Sequence, residues 1–330
     1  MSKAQREAAT RARRDRVRAE AAHTITEGDV PDVTKYALII AFLSGGKDGQ
    51  TALRVVADRA RASGRLDRLH VVHADLGEAE WEGSVDLARA QAAAAAVPGE
   101  RFHVVARTIT TADGSRVREG LLTLVRRRGA WPDATNRYCT SAMKRDASAP
   151  LVTKLVNWYD PGRTYPGPVP VLIIMGMRAE EGPERAAKPS YRRDPRLTNK
   201  RRRHVDLWLP VHTWRLADIW SDIHTSNVPY SPVYDSTPGA RDGLGLRRHS
   251  SRLCPLMTKS DLVASARRDP ETAAQYAAVE AEIGHDFKHG LPMAHIVELA
   301  QNPDANEEET ERGALFEAPS LTTHALAARR

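Results

Sequence analysis

An apolar segment followed by a glycine turn and an amphipathic segment constrains the fold of this chain most strongly. Residues 36–43, YALIIAFL, form a short continuous apolar run, which is typical of a strand buried on both faces. The next residues, SGGKDGQ, predict a tight turn, and TALRVVADRARASG predicts a helix that ends at Gly64. A strand, a turn and a helix in this order predict the first unit of a parallel sheet.

The same alternation continues along the chain. Strands are predicted at 69–77, 100–107 and 168–178, and helices at 85–96, at 119–128, near 140, at 213–226 and, as a pair, within 261–283. Because such alternation needs crossover connections, the predicted fold class is α/β with a doubly wound, mostly parallel sheet. We expect a basic N-terminal arm at 1–33, the α/β domain at 34–235, a helical C-terminal extension at 236–300 and a flexible tail at 301–330.

Composition excludes several classes of protein. Of the 330 residues 41% are hydrophobic and 28% charged, and no apolar run approaches the roughly 20 residues that a membrane-spanning helix needs. The charged N-terminus does not resemble a secretory signal, so a cytoplasmic location is expected. Two cysteines exclude a disulfide scaffold. The net charge of +7 suggests anionic partners, either nucleotides or nucleic acid.

The turn after the first strand predicts a phosphate-binding site. Gly45 and Gly46 allow a sharp turn whose N–H groups point towards an anion, and the dipole of the following helix attracts the same anion. Ser44 adds a hydroxyl donor and Lys47 a positive charge. Ligands of open α/β sheets bind at the carboxyl ends of the strands, where this turn is expected. At Gly46 a Cβ atom is expected to obstruct the phosphate and to make a positive φ costly.

The turn and several later segments together resemble a known family. SGGKD (44–48) is similar to the SGGxDS pyrophosphate loop of the adenine nucleotide alpha-hydrolase (PP-loop) superfamily. The later segments resemble its phosphoadenosine phosphosulfate (PAPS) reductase branch; they are HADLG (73–77), RYCTSAMKR (137–145), GMRAEEGPER (176–185), LPVHTW (209–214) with DIW (218–220), and VPYSPVYD (228–235). Their order over about residues 36–258 carries the resemblance, which implies a Rossmann-type fold.

The resemblance implies roles for the residues of the turn. Ser44, Gly45, Gly46 and Asp48 would contact the phosphates of the nucleotide, and Asp48 would also help to hold Mg²⁺. Lys47 and Asp48 are the expected catalytic residues of the turn.

Further roles are implied for the later segments. Asp75, at the expected end of the second strand, would accept a hydrogen bond from the sugar; the alternative is an Asp-Leu-Gly turn. Arg137, Lys144 and Arg185 would bind the anionic part of the ligand, and Arg178 would also act in catalysis. Arginine suits this role because its guanidinium meets phosphate or sulfate with two hydrogen bonds. The alternative for each arginine is a solvated surface charge.

One position departs from the family pattern. The closing serine of SGGxDS is Gly49 here, so a phosphate-binding hydroxyl is missing, and the sequence leaves open whether Thr51 replaces it. The glycine pair and Asp48 are kept as in ATP-cleaving members, whereas members that use PAPS often have a more altered loop. The implied ligand is therefore ATP with Mg²⁺, and PAPS is the alternative.

The two cysteines limit the chemistry. Iron-sulfur members of the family have a cysteine pair near RYC and a C-x-x-C pair further on, whereas this chain has Tyr138-Cys139 and Ser251-Arg252-Leu253-Cys254. Two thiolates do not hold a four-cysteine cluster, so no iron-sulfur cluster is expected. His249 is a conceivable third ligand, although a histidine among arginines is more often solvated. Cluster-free reductases use a cysteine near the C-terminus, and residues 255–330 contain none.

Two basic segments have both a structural and a functional interpretation. Residues 185–204 contain nine basic side chains and one acid, and they predict a mobile loop that is either solvated or binds nucleic acid. The basic residues in question are Arg192, Arg193, Arg196 and Lys200–Arg203. The N-terminal arm is either a surface helix or a second contact with nucleic acid. Trp214 and Trp220 are interpreted as packing aromatics.

Three functions follow as hypotheses. The leading one is an enzyme that binds ATP with Mg²⁺, cleaves between the α and β phosphates and transfers adenylate to an acceptor with release of pyrophosphate. The second is PAPS or APS reduction, or another sulfur transfer, with Cys139 or Cys254 as the thiol. The third is a non-catalytic, nucleotide-dependent subunit that binds nucleic acid.

Overall fold

A six-stranded sheet forms the centre of the protein, whose computed structural model describes residues 30–235, 245–249 and 251–302. The strand order is β3-β2-β1-β6-β8-β7, and all neighbours are parallel except β7 and β8. A separate antiparallel hairpin pairs β4 with β5. The strands are β1 (Leu38–Phe42), β2 (Leu69–Asp75), β3 (Phe102–Ala106), β4 (Thr108–Thr110), β5 (Arg116–Arg118), β6 (Val169–Met175), β7 (Tyr191–Arg193) and β8 (Arg203–Trp208).

Helices connect the strands and continue beyond the last of them. They are α1 (Lys47–Ala62), α2 (Ser84–Ala94), α3 (Leu121–Arg128), α4 (Ala147–Tyr159), α5 (Pro183–Ala186), α6 (Leu216–Ser226), α7 (Lys259–Arg268), α8 (Pro270–Ile283) and α9 (Met293–Gln301). A π-helix, Cys139–Asp146, leads directly into α4. No helix among the residues that the structure describes is long and apolar enough to cross a membrane.

Burial on both faces explains why β1 is an unbroken apolar run. Successive side chains of a strand point to opposite faces, so Ile39 packs into the core under α1, α2 and α6, whereas Ile40 packs into the core under α4. Both are fully buried. A third apolar cluster, around Trp131, Tyr276 and Phe287, joins α3 to the C-terminal helices. The doubly wound, mostly parallel α/β fold is thereby confirmed, and the helical C-terminal region is present.

The turn after β1 lies where the order of the strands reverses. From β1 the chain continues to β2 on one side and later reaches β6 on the other. Crevices at such switch points are the usual ligand sites of open α/β sheets. Gly176, directly after β6, allows the chain to pass close to the first turn of α1. A Cβ on Gly176 would lie only 2.3 Å from the backbone nitrogen of Gly49.

Several predicted elements need correction. The first helix begins at Lys47, so KDGQ is its first turn and not part of the loop. Residues 185–204, predicted as a mobile loop, contain the end of α5, the edge strand β7 and the start of β8. Strand β8 and helix α9 were not predicted. Residues 1–29 of the proposed arm (1–33) and residues 303–330 of the proposed tail (301–330) lie outside the described residues, and the domain boundaries stay predictions.

Candidate nucleotide-binding site

The turn Ser44–Gly46 presents an exposed hydroxyl and the start of a helix at the carboxyl edge of the sheet. Ser44 is exposed, and Gly46 is the N-cap of α1 without a side-chain cap. The left-handed conformation belongs to Gly45, at φ +85°, whereas Gly46 has φ −76°. The expectation of a positive φ at Gly46 is therefore wrong. A substitution at Gly46 acts by occupying space and not by straining the backbone.

Two buried polar side chains fix the back of the turn. The amide of Gln91, on α2, donates to the carbonyl of Gly45 at 3.2 Å. His73, on β2, lies 3.0 Å through Nδ1 from the carbonyl of Leu43, and 3.0 Å through Nε2 from Glu80. These contacts occupy the two carbonyls, of Leu43 and Gly45, that precede the helix, so neither needs a ligand as its hydrogen-bond donor. Neither Gln91 nor His73 was predicted as a site residue, since neither belongs to the loop motif.

Lys47 lies in the interior of the site. It is 3% exposed, and its ammonium donates to the carbonyl of Arg247 at 2.7 Å. The same ammonium lies 3.8 Å from Asp48 and 4.6 Å from the centre of the Tyr234 ring. Burial lowers the pKa of Lys47, so an added anion would stabilise its charged form. This is the arrangement expected of a cation that neutralises a phosphate.

Asp48 and Arg178 form an ion pair across the turn. Nε of Arg178 donates to Oδ1 of Asp48 at 2.5 Å, and Nη1 pairs with Glu180. Arg178 is 5% exposed, so the position after a buried strand holds a buried cation and not a solvated one. The backbone N–H of Arg178 also donates to Glu181 at 3.1 Å.

The predicted metal role of Asp48 does not match a resident metal site. Its carboxylate is already paired with Arg178 and lies near Lys47. Within residues 30–235, 245–249 and 251–302 there is no group of three or more His, Cys, Asp or Glu side chains that could hold a metal ion. Protein-bound Mg²⁺ usually needs carboxylates together with phosphates of the substrate. These residues therefore do not form a magnesium site of their own.

Tyr234 and His249 cover the turn from the outside. The Tyr234 hydroxyl accepts hydrogen bonds from the backbone N–H groups of Lys47 and His249, each at 3.1 Å. Trp220 supports the Tyr234 ring edge-on at 5.4 Å. Nε2 of His249 lies 3.2 Å from the Ser84 hydroxyl, and burial lowers the pKa of His249 to about 4. The interpretation of His249 as a solvated residue is wrong.

A second group of cations lies beside the turn. Arg185 pairs with Glu181, which also lies 3.6 Å from Arg248, and Arg137 lies 3.4 Å from Glu184. Lys188 is close to these arginines: its pKa is lowered by burial and by the charges of Arg192, Arg185 and Arg137. The structure thus brings Arg137 and Arg185 together, and it adds Lys188 and Arg248, which the motifs did not indicate.

Three remaining predicted positions have different outcomes. Asp75 ends β2, but its carboxylate accepts from the N–H of Gly77 at 2.9 Å and pairs with Arg118, which is the geometry of the turn alternative. Lys144 lies on the π-helix, close enough to raise the positive potential at Cys139 and His249. Thr51 is fully buried, and its hydroxyl has no hydrogen-bond partner among the described residues.

The two cysteines lie in an apolar environment. Cys139 begins the π-helix, and both Cys139 and Cys254 pack against the cluster that contains Tyr138 and Tyr276. Burial, and next the proximity of Cys254, raise the pKa of the Cys139 thiol. This thiol is therefore protonated at neutral pH, and it is a poor nucleophile in that form.

Comparisons with known proteins agree with the motifs. A protein of Escherichia phage 186, described as an uncharacterized 37.8 kDa protein in the gpa 5′ region, is 26% identical over 173 residues, which are 51% of this chain and 46% of that protein. This chain thus spans less than half the length of that relative.

Two solved structures are similar at low identity. PAPS reductase from Candida auris, in a phosphate complex, has a TM-score of 0.36 and 15% identity over 66% of this chain and 81% of that one. FMN adenylyltransferase from Candida glabrata, with FAD and pyrophosphate, has a TM-score of 0.36 and 15% identity over 64% of this chain and 56% of that one. The family model described as "Phosphoadenosine phosphosulfate reductase domain" matches residues 39–238, which are 200 of the 330 residues. The chain belongs to the phosphoadenosine phosphosulfate reductase domain family.

Proposed function

We propose that this protein binds MgATP at the Ser44–Asp48 turn, cleaves the bond between the α and β phosphates, and transfers adenylate to an acceptor with release of pyrophosphate. One observation carries the proposal: a buried lysine, Lys47, stands at the N-terminus of α1 at the switch point of the sheet. A helix N-terminus with a cation beside it favours an anion such as a triphosphate.

Charge neutralisation and orientation are what the site would supply. Cleavage of the α–β bond by an acceptor needs no nucleophile from the protein, so positioned cations account for most of the effect. Lys47 and Arg178 are buried beside the turn, and Arg185 and Lys188 lie further out. On binding, a phosphate oxygen would replace the Arg247 carbonyl at the Lys47 ammonium. The metal would arrive with the nucleotide, since the described residues of the chain form no resident site.

The environment of the cysteines argues for adenylation over sulfur transfer. A thiol that attacks sulfur must first become a thiolate, and burial acts against this at Cys139. In an adenylation reaction both cysteines can serve as small apolar residues of the cluster around Tyr276.

A second candidate is reduction of PAPS, and one observation favours it. Cys254 is close enough to Cys139 to raise the pKa of the Cys139 thiol. Two thiols could reduce PAPS to sulfite and adenosine 3′,5′-bisphosphate while they are oxidised to one disulfide, with two protons released. The atoms and electrons of this step balance without another reactant, but each turnover needs an external dithiol to restore the thiols.

The experiment that distinguishes adenylation from PAPS reduction uses one protein preparation in two reaction mixtures. The first contains MgATP and is followed for AMP and pyrophosphate, with water as the default acceptor. The second contains PAPS and dithiothreitol and is followed for sulfite and adenosine 3′,5′-bisphosphate. Pyrophosphate in the first mixture supports adenylation, and sulfite in the second supports reduction. Absence of ATP binding in a calorimetric titration contradicts the proposal.

A further inference from the structure

The amino edge of the sheet, opposite the nucleotide site, contains a basic hollow of about 520 Å³. It lies where β6 and β8 begin, between the segment that follows α4 and the turn before β8. Four cations line it, namely Arg163, Lys200, Arg201 and Arg202. In the part of the chain that the structure describes, none of the four forms an ion pair.

The one acidic residue of the hollow forms no ion pair with these cations. Asp160 is 6% exposed, and its Oδ1 accepts from the backbone N–H groups of Thr164 at 2.7 Å and Tyr165 at 3.2 Å. Its role is to shape the turn that carries Arg163. The lining is therefore a concentration of positive charge held by ordered backbone, and not a mixed salt-bridge network.

An exposed aromatic side chain stands on the same edge. Trp158, near the end of α4, is 68% exposed, the largest exposure among the large hydrophobic residues that the structure describes. Its neighbour Asn157 accepts a hydrogen bond from Nη2 of Arg202 at 2.8 Å, which ties the end of α4 to the hollow. The ring of His70 lies nearly perpendicular to the indole, with ring centres 6.2 Å apart.

We infer that this edge binds single-stranded nucleic acid, with the cations of the hollow on its phosphates and Trp158 stacked on a base. Proteins that bind single strands combine a positively charged groove with exposed aromatic side chains, because every base offers a face for stacking. A duplex would leave the indole without a partner, since its bases are already stacked. An anionic membrane would not use a concave site with one aromatic residue.

The basic run that the sequence suggested as a nucleic-acid contact divides into two parts. Arg193 pairs with Asp206, and Arg192 donates to the carbonyl of Pro189. Only the part at residues 200–202 faces the hollow. The chain also joins the sheet at this edge, as the N–H of Ala37 donates to Pro170 at 2.9 Å. Residues 1–18, with seven basic and two acidic side chains, precede this point in the sequence.

The test is fluorescence anisotropy of the full chain with labelled 20-nucleotide single-stranded DNA, single-stranded RNA and a duplex. Lys200→Glu/Arg201→Glu is compared with Arg116→Glu/Arg126→Glu, which changes the charge equally at exposed positions on β5 and α3. We expect the first pair to weaken single-strand binding by about tenfold or more. It should also reduce the magnitude of the slope of log affinity against log salt concentration by about 1.4, because two phosphate contacts are lost and each contributes about 0.7.

The aromatic contribution has its own pair of variants. Trp158→Ala should weaken binding about fivefold or more, and Trp158→Phe should keep most of the affinity, because stacking needs an aromatic face. ATP affinity should stay unchanged in Lys200→Glu/Arg201→Glu, Trp158→Ala and Trp158→Phe, since the nucleotide turn is at the other edge of the sheet from these residues. This readout separates failure of the present inference from failure of the proposed ATP site.

Three results would overturn the inference. They are an equal loss in the control pair, tighter binding of the duplex than of either single strand, and binding of anionic vesicles without binding of oligonucleotides. If single-stranded DNA and RNA bind with equal affinity, the protein recognises the phosphates and bases that both contain. If one binds more tightly, that nucleic acid is the preferred ligand. Both of these outcomes support the inference.

Discussion

Substitution of the ion pair between Asp48 and Arg178 tests most directly how the site is built. Arg178 is 5% exposed, and its guanidinium contacts Asp48 at 2.5 Å and pairs with Glu180. In Arg178→Gln the cation is lost and two carboxylates remain at the end of β6. Removing one partner of a buried pair costs about 3–5 kcal/mol. Because the Glu180 side chain is 51% exposed and can be solvated, we expect a loss of about 3 kcal/mol in the free energy of unfolding.

The matched control is Arg185→Gln. The Arg185 side chain is 28% exposed and pairs with Glu181, so its loss should cost less than about 1 kcal/mol. A double-mutant cycle of Arg178→Gln with Asp48→Asn isolates the pair itself. We expect a coupling energy of about 2 kcal/mol, since Asp48 provides one of the two ion pairs of Arg178.

Urea unfolding, monitored by circular dichroism, measures the free energy of unfolding of each variant. Calorimetric titration measures the affinity of each variant for ATP. Arg178→Gln should weaken ATP binding more than Arg185→Gln does, because Arg178 is nearer to the turn. A change of less than about 0.5 kcal/mol in the unfolding free energy of Arg178→Gln, the range of an ordinary surface substitution, would refute the reasoning. So would a coupling energy near zero.

Three further outcomes are expected. Gly46→Val should abolish ATP binding in a calorimetric titration while the fold persists, because a Cβ there already lies 3.3 Å from the Tyr234 hydroxyl and larger groups would cover the turn. The double variant Cys139→Ser/Cys254→Ser should release pyrophosphate from ATP within about tenfold of the wild-type rate, a barrier change of about 1.4 kcal/mol, and loss of turnover in a folded double variant would favour sulfur transfer. Burial lowers the pKa of His70 to about 4, so the unfolded chain binds a proton between pH 6.5 and 4 that the folded chain does not, and stability should fall by about 3 kcal/mol as the pH falls through this window; in urea unfolding His70→Gln should lose that part of the pH dependence.

Local patterns were sufficient for β1 and α1 but not for β8. β1 is buried on both faces and is apolar throughout, so its burial is visible in any short window of the sequence. β8, RHVDLW, begins in a basic run and contains Asp206, which is buried. That carboxylate is satisfied by the hydroxyl of Tyr36 at 2.8 Å and by Arg193 at 2.7 Å. Tyr36 is 170 residues away, so no local pattern could indicate the strand.

The site shows the same division between local and distant determinants. Ser44, Gly45 and Lys47 were predicted because the turn, the helix start and the motif lie within a few residues. The contact of Tyr234 with the Lys47 N–H joins positions 187 residues apart. His249 lies in a segment without a regular pattern, and its burial under the turn depends on the packing of Tyr234.

The charge balance around the turn bears on which ligand it favours. Among the described residues, two groups of ion pairs beside the turn contain four cations and three carboxylates in all: Lys47, Arg178, Arg185 and Arg248 against Asp48, Glu180 and Glu181. One positive charge therefore remains to meet a triphosphate, which carries about four negative charges and is normally neutralised in part by metal ions. The difference must come from Mg²⁺ that arrives with the nucleotide and from the neighbouring Lys188 and Arg137. With ATP as the proposed ligand, this balance favours its magnesium complex over the free nucleotide.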